Sequence, residues 1–285
     1  MGTLTTELKI DKTVLESYVV TATSKNNDVF EMLQPMMEGV AEDIKENVLG
    51  DVGYKAIASD YTLLQLTQRV ICRRTFAENI SSLDLVLTAT GFGIVSTQDT
   101  APASQARVQA LQTQVYKQYL QSLGFLLEYL RKKVPGWGQT AQAEVCIDTL
   151  FYNFNFMANF CSKKNPTMDD WLNAQAAIRE ADMMLRHKIS DEEMDELLYK
   201  VRTDSVSTDE QEVIYIARVF MAAMITESAT GYFNPYKKRT IGHLIEVMEN
   251  NLDDFAPYKN SQTYKARHFE DYVNTKDSPV FFFNG

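Results

Sequence analysis

Cysteine, histidine, proline and glycine are all scarce in this chain of 285 residues, with 3, 3, 7 and 12 copies respectively. Three cysteines, Cys72, Cys146 and Cys161, are an odd number with no close pair, which argues against a disulfide framework. The spacing from Cys146 to Cys161 does not suit a zinc knuckle, and no paired histidines lie near it. Buried small hydrophobes in a reducing compartment are the expected role. So few glycines and prolines cannot punctuate a many-stranded sandwich or barrel. Basic charge is also short: 28 Lys and Arg against 38 Asp and Glu give a formal charge of −10. That balance argues against sequence-specific nucleic-acid binding and against an anionic membrane surface. No uninterrupted apolar run approaches the ~18 residues that a membrane span needs. The first residues, Met1-Gly2-Thr3-Leu4-Thr5-Thr6-Glu7, lack a signal peptide's basic start and apolar core.

The usual marks of catalysis are missing as well. No G-x-x-x-x-G-K-[ST] phosphate loop is present. Gly91-Phe92-Gly93 lacks the third glycine of a dinucleotide fingerprint, and Pro102 delays any following helix. No glycine-framed Ser or Cys marks a nucleophile. His187, His243 and His268 are scattered, and His243 with Glu246 is one helical turn of potential metal ligands without a second pair, read here as a surface contact. Asp169-Asp170 and Asp191-Glu192-Glu193 each fall in the first turn of an expected helix, where carboxylates complement the dipole. The expectation is therefore no catalytic residues, no metal and no cofactor.

What is abundant is helical periodicity in a chain that is 45% hydrophobic and 23% charged. One large domain is expected. A short first helix follows Asp11. Asn27 or Asp28 caps a helix carrying Leu33, Val40, Ile44 and Val48, with Pro35 marking either a kink or a start at Gln34. Asp60 opens another, with Arg69, Arg73 and Arg74 beside its apolar face. Ser104 stands before a long helix to about Lys133, closed by Pro135-Gly136-Trp137-Gly138. The stretch from about Thr140 to Lys163, rich in phenylalanine, reads as one central buried helix. Thr167, Ser190 and Ser207 each precede an acidic first turn, the last two as capping boxes, and Gly231 ends the helix that Ser207 begins. Thr240 to Leu252 is the last clear helix.

Two segments break the pattern. Leu85-Val86-Leu87-Thr88, Thr90-Gly91-Phe92-Gly93 and Ile94-Val95-Ser96-Thr97 read as a β-hairpin with its tip at Thr90 to Gly93, the glycines supplying positive φ. From Phe255 helical periodicity fades, yet Tyr258, Tyr264, Phe269, Tyr272 and the run Val280-Phe281-Phe282-Phe283 remain. The expectation is a mainly α fold: a multi-helix bundle of about seven or eight helices over residues 1–254, one hairpin near 85–95, and an extended C-terminal arm over 255–285. Exposed apolar clusters mark interaction sites, so Phe92, Ile94, Val280, Phe281, Phe282 and Phe283 are the expected subunit or partner contacts.

The hairpin segment from Leu85 to Ser96 and its continuation Ala101-Pro102-Ala103-Ser104-Gln105-Ala106-Arg107-Val108 resemble a family of uncharacterised virion proteins from phages and prophages of Bacteroidales, crAss-like phages included. The shared pattern is LT-x-T-GFG-x-V followed by APAS-x-x-RV, and the aromatic run at 280–283 is similar too. The resemblance implies a head–tail connector or neck-ring protein: a homo-oligomeric ring, with portal or other neck and tail proteins as partners, located in the virion after assembly in the bacterial cytoplasm. It brings no catalytic residues and implies no membrane. An acidic wall also suits a passive DNA conduit, since it does not grip phosphates. The alternative reading is a cytoplasmic helical enzyme or small-molecule-binding protein with an aromatic-lined pocket.

Overall fold

Side chains placed to accept orphan backbone N–H groups set where the helices begin. Asp11 accepts from Val14 N at 2.8 Å, Asp60 from Leu63 N at 3.0 Å and Thr140 from Ala143 N at 3.2 Å. Thr167 with Asp170, and Ser207 with Glu210, form reciprocal capping boxes. Ser104 occupies an N-cap position, but its side chain accepts no capping bond. The helices so placed are described in a computed structural model over residues 3–19, 28–83, 85–88, 91–94 and 104–269.

In chain order these residues form α1 (Leu4–Glu7), α2 (Lys12–Tyr18), α3 (Asp28–Ile44), a π-helical turn (Lys45–Leu49), α4 (Gly50–Ile57) and α5 (Tyr61–Asn79). Strands β1 (Leu85–Thr88) and β2 (Gly91–Ile94) follow, then α6 (Gln105–Lys133), α7 (Ala141–Cys146), α8 (Asn155–Phe160), α9 (Met168–Lys188) and α10 (Asp191–Thr203). Helices α11 (Thr208–Thr230), α12 (Lys237–Asn250), α13 (Ala256–Asn260) and α14 (Gln262–Arg267) complete the order. Helix α5 lies along α6 and carries α3 on its other side; α11 is flanked by α9 and α12. A single continuous core runs through both groups, from Leu33, Val70 and Ile71 to Leu126, Phe151, Phe220 and Leu244. Helix α11 is long and apolar enough to cross a membrane by length and composition, with mean hydropathy 1.3, and half of that stretch is buried inside the chain.

The π-helical turn joins the two ends of the first half. A π turn widens the helix at a point where side chains can enter its carbonyl ladder. Trp137 Nε1 donates to Val48 O at 2.9 Å and Gln142 Nε2 to Glu46 O at 3.0 Å. The next residue, Gly50, has φ +60°, a backbone conformation that glycine adopts without the strain a side chain would bring.

The expected architecture is corrected in several places. Fourteen α-helices lie in the described residues, not seven or eight, because short helices of four to eight residues show no readable periodicity. The two four-residue strands pair antiparallel, with Leu85 opposite Ile94, Val86 opposite Gly93, Leu87 opposite Phe92 and Thr88 opposite Gly91. They are all the strand structure among the described residues, and the architecture is helical. Gly91 and Gly93 are thus ladder positions, not the tip, and residues 89–90 between the strands lie outside the described residues. Pro35 sits inside an uninterrupted α3. The central buried helix expected over 140–163 is instead α7 and α8 separated by eight non-helical residues. There arginines replace the helical partners: Leu150 O accepts from Arg218 Nε at 2.9 Å and Ile147 O from Arg202 Nη1 at 3.4 Å. Asn153 Oδ1 meanwhile accepts from Asn155 N at 2.9 Å. The extended arm is corrected for 255–269, since α13 and α14 are helical and Phe255 and Tyr258 are fully buried on the chain's own core. Tyr272 and residues 280–283 lie outside the described residues.

Candidate functional site

Helix α6 brings Glu128, Arg131 and Lys132 onto one face by their i, i+3 and i+4 spacing. Arg131 bonds Glu128 at 2.7 Å, Asp204 at 2.8 Å and Val201 O at 3.1 Å, and Lys132 reaches Glu128 at 3.1 Å. The Tyr152 hydroxyl, delivered by the segment between α7 and α8, donates to the other oxygen of Glu128. Arg218 from α11 completes the cluster, its guanidinium 4.3 Å from the centroid of the Phe156 ring. Phe151, Phe156 and Phe160 meet edge to face at 5.6–6.1 Å around it. The backbone approach is close: a Cβ on Gly124 would lie 2.2 Å from Asn153 Oδ1.

The electrostatics of this junction are those of a fastening. Burial pushes the Glu128 carboxyl up, but the bonds from Arg131 and Tyr152, and then Lys132, outweigh it and hold it down at about 2. Burial, with Glu128 beside it, raises the Tyr152 phenol. Near neutral pH the carboxyl is fully ionised and the phenol fully protonated, so neither is poised to move a proton. The thiols are similarly unreactive. Burial pushes Cys72 up to about 12, and Cys146 and Cys161 up to about 11.

A more deeply buried carboxyl behaves in the opposite way. Glu193 is fully buried at the start of α10, and Ser190 Oγ accepts from its backbone N at 3.1 Å. The expected capping box is only half formed, because the Glu193 carboxyl turns to α13 and accepts from Tyr258 N at 3.0 Å. Its other oxygen has no partner among the described residues. Burial, supported by Glu210 and Glu196, raises it to about 7 against the opposing pull of the Tyr258 N–H and Lys200.

A broad groove of about 780 Å³ opens between α11 and α12. Tyr215, Ile216 and Val219 form its floor side, and Tyr236, Arg239 and His243 the opposite side. The α11–α12 loop, turned by Gly231 at φ +68°, displays Tyr232, Phe233 and Tyr236, each about two-thirds or more exposed. Lys237 holds this loop through Glu227 at 2.5 Å and lies 5.2 Å from the Phe233 ring. His243 and Glu246 stand 3.7 Å apart on the exposed rim. No cluster of three or more His, Cys, Asp or Glu that could hold a metal occurs among the described residues.

The sequence-expected contacts are only partly reached. Phe92 and Ile94 stand in β2, where the structure gives backbone pairing alone; Val280, Phe281, Phe282 and Phe283 fall outside the described residues. The arginines beside the apolar face of α5 are bound internally. Arg69 lies over Tyr18, Arg73 donates to Ser122 Oγ at 2.6 Å, and Arg74 pairs with Glu78 at 2.8 Å and with Asp43. Sequence reasoning missed Arg218, the diversion of Glu193, and the exposed ring cluster at 232–236. Only the last had a readable signal, in aromatic residues crowded just past a helix-ending glycine.

A family model described as a family of unknown function (DUF6712) matches residues 15–147, a little under half of the chain, from α2 to the end of α7. No curated protein and no solved structure matches.

Proposed function

We propose that this chain is a structural subunit of a phage or prophage particle, of head–tail connector type, that works by assembling with copies of itself and with portal or neck proteins. The observation that carries the reading is the pairing of a locked interior with an unlocked aromatic surface. The interior polar groups at Glu128, Arg131, Tyr152 and Arg218 are consumed by one another and by backbone carbonyls. The aromatic residues Tyr215, Tyr232, Phe233 and Tyr236 instead face outward beside an open groove, as rings do that anchor protein–protein contacts. The hairpin-segment resemblance supports the connector assignment, and Phe92, Ile94, Val280, Phe281, Phe282 and Phe283 belong to the proposed contact set. The subunit is expected in the virion after assembly in the bacterial cytoplasm, with an acidic surface past which DNA slides without being gripped.

Sedimentation velocity and negative-stain microscopy of the full chain, alone and with a portal protein from the same genome, test this reading. A discrete closed oligomer that weakens at least tenfold in Tyr232→Ser/Phe233→Ser supports it. A monomer at every concentration and with the portal protein present overturns it.

A further inference from the structure

The contact between α10 and α13 places an acid where an amide would be safer. Phe255 and Tyr258 are fully buried, so the α13–α14 segment is docked on the body by large side chains. At the rim of the dock Tyr258 Oη donates to Glu249 at 3.0 Å, Arg267 reaches Glu249 and Lys188 O, and His268 lies 3.8 Å from Glu249. Toward Glu193 the segment offers the bond from Tyr258 N to Glu193 Oε2 at 3.0 Å, and Glu193 Oε1 has no partner among the described residues. The charged groups around it come from each packed element. Glu196 and Lys200 lie on its own α10, and Glu210 at the start of α11 is already paired with Lys200. From the tail itself comes only a backbone N–H. A protonated carboxyl fits this site, since it is neutral and still accepts from Tyr258 N. A carboxylate there would be a buried charge with one oxygen unserved and no cation of its own.

We infer that Glu193 is a proton-controlled latch for α13 and α14: protonated, it keeps the tail helices docked, and ionised, it lets them lift from the body. The device concerns one isolated chain and stands apart from the assembly reading. With the docked value raised to about 7 from an ordinary 4.5, the docked state holds its proton over a range where the released state has lost it. Docking is therefore strongest below the ordinary value and weakens as pH rises, until the docked form also ionises near 7. By that linkage the released fraction grows roughly tenfold between pH 6 and pH 8.

Hydrogen exchange of the amides at 256–267 in the full chain, corrected for the intrinsic pH dependence of exchange, tests this. Protection that falls about tenfold from pH 6 to pH 8, and that becomes flat in Glu193→Gln, is the expected result. Flat protection in the unaltered chain overturns the latch. An undiminished fall in Glu193→Gln overturns it too, because it assigns the response to another group, such as His268, which stacks on Tyr264 in the same tail. Should Glu193→Gln fail to fold, the unaltered chain still decides. Trypsin cleavage after Lys259 and Lys265, normalised to an unstructured reporter peptide in the same tube, must accelerate over the same pH range, and a constant rate refutes the latch.

Discussion

Glu128, half-buried, and Glu193, fully buried, belong to one helical body and are held in opposite states. Both lose water, and in both that loss is the largest influence on the carboxyl. Around Glu128 two cations and a phenol replace the lost water, and the carboxylate stays charged. Around Glu193 the replacement is one backbone N–H, and the neutral acid is favoured. Burial sets the size of the penalty, while the supply of donors decides which protonation state survives it. The first site fixes α6 to the α7–α8 connection and α10; the second makes the dock of α13 conditional on pH.

The largest expected effect comes from turning the first site into something like the second. Arg131→Met leaves Glu128 with Tyr152 and Lys132 alone and should cost about 2–4 kcal/mol in urea unfolding at pH 7, discounted for the partial exposure of the carboxyl. In a double-mutant cycle, adding Glu128→Gln should recover part of that loss, and a purely additive result would dissolve the pairing argument. Next in size is the acid limb. A carboxyl depressed to about 2 contributes stability that is full above its ordinary value near 4.5 and is lost as pH falls towards 2. That contribution is on the order of 3 kcal/mol, and Glu128→Gln should flatten the limb by that amount.

The opposite sign is expected at the second site. Glu193→Gln should leave stability unchanged near pH 4 and raise it at pH 8, by up to roughly 2 kcal/mol after allowance for the Lys200 and Glu210 pair. Thermal melts of the two proteins at pH 4 and pH 8 check it. The smallest effect belongs to an ordinary cap: Ser207→Ala should cost about 1 kcal/mol in urea unfolding at pH 7.

Much of the frame was legible because it is local. As helix starts and stop, Asp60, Thr167, Ser207 and Gly231 act within four residues of themselves, so those roles could be read from neighbours in sequence, whereas the bond from the Tyr129 hydroxyl to Asp60 could not. The split between α7 and α8 could not. Its carbonyls are served by Arg202 and Arg218, 55 and 68 residues away, and an apolar stretch looks the same with or without such donors. Ser190 shows the limit within a single motif: its own half of the box was readable, while the Glu193 carboxyl was claimed by Tyr258, 65 residues on. The tail was misjudged for a related reason, since helices of five and six residues are ordered by what Phe255 and Tyr258 bury, not by their own periodicity. Of the site, the exposed rings were visible in the sequence but their convergence on a groove was not.

The π-helical turn bears on how quickly the chain reaches this structure. Its bonds to Trp137 and Gln142 close loops of 89 and 96 residues. Bringing such ends together costs roughly 4 kcal/mol of chain entropy, against about 1 kcal/mol returned by each neutral hydrogen bond. Contacts of that kind are expected to form after α5 and α6 have paired and shortened the effective loop. On that expectation Gln142→Ala should speed unfolding and leave the folding rate nearly unchanged in chevron kinetics, so that the turn sets the lifetime of the folded chain more than the speed of its formation.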